Sequence, residues 1–171
     1  MRIIEQLFSI LAPYSCISCG REGTLLCAWC LPDAFTPVPE RCYRCHALSR
    51  DYKVCDKCRK FAPIGHVWVA VEYEGYAKQL VTSYKFARAK DVAVILAARL
   101  HETVPFTPEG TIVTFVPTAT SRVRERGYDH AEVMARSFAA LRDLDCIPLL
   151  YRMGQTRQVG SKRSQRIAQL A

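Results

Sequence analysis

Hydrophobic and polar positions follow different periods in successive stretches of the chain. Ile3, Ile4, Leu7, Phe8, Ile10 and Leu11 fall on one side of a short amino-terminal helix. From residue 14 to 60 no period survives: apolar residues lie scattered among cysteine pairs and Pro32, Pro37 and Pro39. Residues 66–73 alternate and are rich in Val and aromatics, which predicts a strand closed by a turn at Glu74-Gly75. Residues 76–101 then take a helical period through Leu80, Val81, Tyr84, Ala87, Val92, Ile95, Leu96 and Leu100. A break is expected near residues 89–91, and Pro105 and Pro108 end the region. The β-rich run 111–116, bounded by Gly110 and Pro117, predicts a central parallel strand.

Asp129 is placed to cap the next helix, with Glu132 at the reciprocal capping-box position. Val133, Met134, Ser137, Phe138 and Leu141 would share its apolar side and leave Arg136 and Arg142 facing solvent. Residues 146–151 read as another strand. The β-α-β order from residue 111 onward predicts an α/β domain with a parallel sheet. The expected organisation is residues 1–62 as an amino-terminal helix and double zinc ribbon, and residues 63–171 as the α/β domain.

A chain of 171 residues with 50% hydrophobic content holds one ordinary domain, or a small metal-dependent module with a second domain, and is not wholly disordered. Glu5 and Gln6 interrupt any leader-like apolar core, no small-x-small cleavage site follows, and no segment reaches bilayer-spanning length. A cytoplasmic protein without membrane insertion is therefore expected. The formal charge is +8, and two four-cysteine zinc centres would lower it to about +4. Residues 118–171 carry ten Lys/Arg against five acids, whereas residues 61–117 carry five of each. The carboxyl-terminal part is thus the candidate anion-binding surface.

The chemistry is most legible in the cysteines. Cys16/Cys19, Cys27/Cys30, Cys42/Cys45 and Cys55/Cys58 form four Cys-x-x-Cys pairs, enough thiolates for two tetrahedral zinc ions. The spacing Cys-x2-Cys-x7-Cys-x2-Cys is followed by Cys-x2-Cys-x9-Cys-x2-Cys, a near-repeat that suggests two ribbons or knuckles joined by the Pro-rich segment 33–40. Paired spacing and an odd total of nine cysteines favour metal over a disulfide scaffold. Sequential assignment of the pairs to the ions is preferred, with a cross-braced alternative. His46 is not needed as a ligand, no ferredoxin-like spacing is present, and Cys146 reads as a buried small side chain.

Residues 121–128 follow a predicted strand and precede the capped helix, where ligands commonly bind in parallel α/β folds. Arg122, Arg124 and Arg126 are candidate phosphate contacts and Tyr128 a candidate stacking ring. In the basic tail, Arg157, Lys162, Arg163 and Arg166 can track a nucleic-acid backbone. A solvated basic face is the competing reading. There is no G-x-x-x-x-G-K-[ST], G-x-G-x-x-G or H-E-x-x-H motif, and no nucleophile with a placed base. No catalytic residue is assigned. His66, His101 and His130 read as structural or surface residues.

Taken together, the cysteine pairs with residues 26–33, Tyr73-Glu74-Gly75, Lys85-Phe86, Val116-Pro117 and the run 124–132 resemble the ComF-like competence proteins. Residues 158–160 and 163–166 match the next basic segment of that family. The resemblance implies a double zinc ribbon followed by a Rossmann-like phosphoribosyltransferase type I fold. It also implies a cytoplasmic accessory protein of natural transformation that binds single-stranded DNA alongside a helicase and the DNA-uptake machinery. Asp129-His130 stands where an amide pair is usual in the family, and Gln169 stands near a usual Asn. The acidic, Thr/Gly-rich loop that holds phosphoribosyl pyrophosphate in such enzymes has no counterpart here. The expectation is therefore a fold incomplete at its carboxyl end, with no phosphoribosyl transfer by this chain. A phosphoribosyltransferase lacking only that loop, and a zinc-ribbon protein-docking module, are the alternatives.

Overall fold

The computed structural model describes residues 14–152. The expected amino-terminal helix and the tail residues Arg157, Lys162, Arg163 and Arg166 lie outside them. Within them, a cysteine-rich region of turns, with a 3-10 turn at Arg50–Tyr52 and a single helical turn at Asp56–Arg59, precedes four longer helices and a small open sheet of two strands: α1 (Gly75–Phe86), α2 (Val92–Thr103), β1 (Ile112–Val113), α3 (Thr120–Arg126), α4 (His130–Leu141) and β2 (Asp145–Cys146).

The helical period of residues 76–101 resolves into α1 and α2, with the break where it was expected. Arg88 takes φ 56° in the connection, a left-handed backbone that ends α1 and lets Ala89 turn inward. Ala77, Leu80 and Tyr84 form the buried stripe of α1, and Val92, Ala93 and Ala97 that of α2. The alanines allow α2 and α4 to approach closely along their length, and α4 also covers both strands.

The two expected strands pair in parallel, with two helices, α3 and α4, between them rather than one, and with Ile112 opposite Asp145 and Val113 opposite Cys146. Both strands are shorter than the runs 111–116 and 146–151, because pairing extends only to the bond from Ile147 N–H to Val113 O. Ile112, Val116, Leu149 and Leu150 stay exposed, so the sheet buries little apolar surface among the described residues. Cys146 is half-buried rather than buried.

The run 66–73 does not form the expected strand. His66 bridges Lys53 and then Glu72 N–H reaches Thr36 O, but among the described residues no continuous neighbour lies alongside. Alternation without a partner leaves an extended segment. Residues 121–126, expected to be a loop, belong to α3, which ends at Gly127 with φ 90°.

Asp129 caps α4 as expected, its carboxylate accepting from Ala131 N–H at 2.9 Å and Glu132 N–H at 3.5 Å. Glu132 turns instead to Arg136 at 2.9 Å, so Arg136 is paired. Arg142 is not free in solvent either. It donates to Pro105 O at 2.6 Å, His101 O at 2.7 Å and Val104 O, and its guanidinium lies 5.3 Å from the centre of the Phe138 ring. It thereby satisfies carbonyls left open at the carboxyl end of α2.

One core joins the first cysteine unit to the helices: Cys16, Leu26, Cys27, Ala34 and Phe35 cluster with Leu80, Tyr84, Ala89, Val92 and Ala93. Cys42 and Val54, the buried residues of the second unit, lie outside that cluster.

Candidate metal centres and the basic face

Two peptide turns of the same design build each sulfur cluster. In the first unit, Cys16 N–H donates to Arg21 O at 2.8 Å and Gly20 N–H to Cys16 O at 2.8 Å. The second unit repeats this with Cys42 N–H to Ala47 O at 2.9 Å and His46 N–H to Cys42 O at 2.9 Å. The later pairs also correspond, since Leu31 N–H bonds Cys27 O and Arg59 N–H bonds Cys55 O, both at 3.0 Å. Antiparallel bridges Ser15–Glu22 and Arg41–Leu48 brace the two knuckles equivalently. The longer spacer of the second unit is taken up by the turn at Arg50–Tyr52, where Asp51 and Tyr52 have φ 56° and 53°.

Gly20 has φ 76° and His46 φ 61° at matching positions. His46 therefore serves as the left-handed corner of the second knuckle and is outside the sulfur cluster. The sequential pairing is realised: Cys16, Cys19, Cys27 and Cys30 converge in one group and Cys42, Cys45, Cys55 and Cys58 in the other. Within each group all Sγ atoms lie within 4.8 Å of one another. Cys19 and Cys27 sulfurs are 3.7 Å apart, and Cys45 and Cys55 sulfurs 3.6 Å apart. Tetrahedral zinc with Zn–S of about 2.3 Å separates sulfurs by about 3.8 Å, so the donor set fits a metal and is too open for disulfides.

Electrostatics point the same way. Amide N–H groups of Cys19 and Cys27, with a smaller contribution from Ser18, hold the Cys16 thiol down at about 6. Those of Cys55, Cys45 and Arg44 hold Cys42 down at about 6. Burial, followed by the sulfurs of Cys45 and Cys55, pushes Cys58 up to about 12. Ser18 works to lower Cys30, but the sulfurs of Cys19 and Cys27 outweigh it and carry the thiol up to about 11. Four thiolates cannot share so small a volume without a cation to offset their repulsion. The two four-cysteine clusters are able to coordinate metal ions, and four converging sulfurs in each are the donor set of a structural zinc site.

The arginines expected to share an anion surface have different surroundings. Arg126 is buried, donating through Nε to Lys85 O at 2.5 Å and through Nη1 to His130 Nδ1 at 2.8 Å. Because guanidinium only donates, His130 accepts at Nδ1 and carries its proton on Nε2. Burial, then Arg126 and Lys85, lowers the His130 pKa. Tyr128 donates to Tyr84 O, and its ring lies 5.5 Å from that of Tyr84. Both residues thus tie the end of α3 to the carboxyl end of α1, and Tyr128 is half-buried rather than free to stack. Arg122 is partly exposed and paired with Glu125 at 2.5 Å. Arg124 is exposed.

Sequence reasoning missed a concave basic recess lined by Lys85, Phe86, Arg88, Arg122, Glu125 and Arg126. Only the carboxyl-terminal end of a helical period, where Lys85, Phe86 and Arg88 crowd together, signalled it. Among the described residues, no helix is long and apolar enough to cross a membrane. Compared with protein-family models, curated proteins and solved structures, the chain has no match.

Proposed function

We propose that this chain is a ComF-like accessory protein that binds single-stranded DNA during DNA uptake, with two structural zinc ions and a Rossmann-like phosphoribosyltransferase-type domain. The cysteines of the two clusters would hold the zinc and fix the ribbons, and no bond-breaking step is assigned to any residue. The observation that carries the DNA-binding role is the exposure of Arg124 and the part-exposure of Arg122 on α3, within the part of the sequence, residues 118–171, that carries ten Lys/Arg against five acids. Binding would rest on phosphate neutralisation, with little sequence preference.

The test is titration of the metal-loaded full chain with a fluorescent oligothymidylate at two salt concentrations. If three phosphates are contacted, affinity falls about twentyfold between roughly 50 and 200 mM salt, and an Arg122→Ala/Arg124→Ala variant shows weaker binding and a shallower salt slope. Failure of the wild-type chain to bind, or identical salt slopes for both proteins, overturns this reading.

A second reading, protein docking by the ribbons, is favoured by one observation. The second cysteine unit lies outside the shared core and exposes Leu48, Phe61 and Ile64. A helicase bound equally well by the doubly substituted chain would support it.

A further inference from the structure

The end of α1 offers an unusual combination of side chains. Phe86, its last residue, is 70% exposed. It stands at the rim of the recess where Lys85, Arg88, Arg122 and Arg126 surround the single carboxylate of Glu125. Arg126 is buried and committed through Nε and Nη1 to Lys85 O and His130, and Arg88 spends part of its fork on Glu125 O at 3.1 Å. Arg122 is satisfied by the Glu125 carboxylate at 2.5 Å. The Lys85 ammonium has no partner among the described residues. The recess therefore holds an excess of positive charge with donors left over, and its one anion is an exposed surface carboxylate.

An aromatic face beside a cationic hollow matches one chemical unit: a phosphate joined to a planar, unpaired base. We infer that this recess seats one nucleotide of a single strand, with Lys85, Arg88 and Arg122 around the phosphate and Phe86 stacked on the base. The inference rests on the DNA-binding reading and adds its anchoring point. In a duplex the base face is covered by its neighbours, so Phe86 contributes only to single-strand binding. Glu125 occupies Arg122 in the free protein and must yield it to the phosphate, so it acts as a competing anion within the site.

That competition gives opposite signs for two substitutions. Phe86→Ala weakens oligothymidylate binding about fivefold or more, while Phe86→Tyr retains it. Lys85→Ala weakens it as well, and Glu125→Gln tightens it by about threefold by removing the competitor and one negative charge. Unchanged thermal midpoints separate these effects from misfolding, since Phe86 and Glu125 are exposed. If the wild-type chain binds no oligonucleotide, the DNA-binding reading itself fails. If it binds and Arg122→Ala/Arg124→Ala weakens it, but Phe86→Ala and Glu125→Gln bind as wild type does, the recess alone is overturned. Preference of Phe86 for anionic lipid vesicles, seen as Phe86→Ala losing vesicle binding but not oligonucleotide binding, likewise overturns it.

Discussion

At the residue scale the two knuckles share one left-handed corner and differ in the residue that fills it. Gly20 occupies its left-handed corner without cost, whereas His46 adopts the equivalent corner with a Cβ that disfavours it. No atom crowds the space where a Cβ on Gly20 would sit, so strain at that corner is purely conformational. Gly20→Ala should therefore lose about 1–2 kcal/mol, and His46→Gly should leave stability unchanged or raise it by up to about 1 kcal/mol. Urea denaturation of the metal-loaded proteins checks both. Retention of both metals by His46→Gly also separates a corner residue from a ligand. The ligands themselves were readable from the sequence because a Cys-x-x-Cys turn aims its sulfurs locally, without help from distant parts of the chain. Arg126 and Tyr128 were not, since their partners Lys85 O and Tyr84 O lie far back in the chain, on α1.

Among the elements, periodicity located α1, α2 and α4 and even the break at Arg88, because a buried stripe repeats within one segment. It misplaced residues 66–73, whose alternation describes a surface but names no neighbour to pair with. It also missed α3, which has Val123 as its one large apolar residue and is held by contacts at its end. Gly127, in the left-handed conformation just after Arg126, was the available stop signal. Arg142 shows the same limit, because charge suggested solvent while its guanidinium serves the carbonyls of His101, Val104 and Pro105. Arg142→Ala should cost about 0.5–1.5 kcal/mol by removing these bonds, of which only that to Val104 O is partly buried. Arg142→Lys should recover only part, since an ammonium lacks the planar fork. Unfolding midpoints of the three proteins at constant metal loading provide the comparison.

At the scale of the whole molecule, the first sulfur cluster and the apolar core are one structure. Cys16 and Cys27 belong to the first sulfur cluster and also to the core that contains Leu80, Tyr84 and Val92. Loss of the first ion would release four repelling thiolates into the packing of α1 and α2, whereas the second cluster holds mainly its own ribbon. Metal affinity is in this sense part of the folding free energy. Native mass spectrometry of the purified full chain, followed by near-ultraviolet circular dichroism before and after exhaustive chelation, tests that coupling directly. The account predicts two zinc ions per chain and collapse of the aromatic signal when they are removed. A chain that carries no metal and gives the same spectrum after chelation would contradict it.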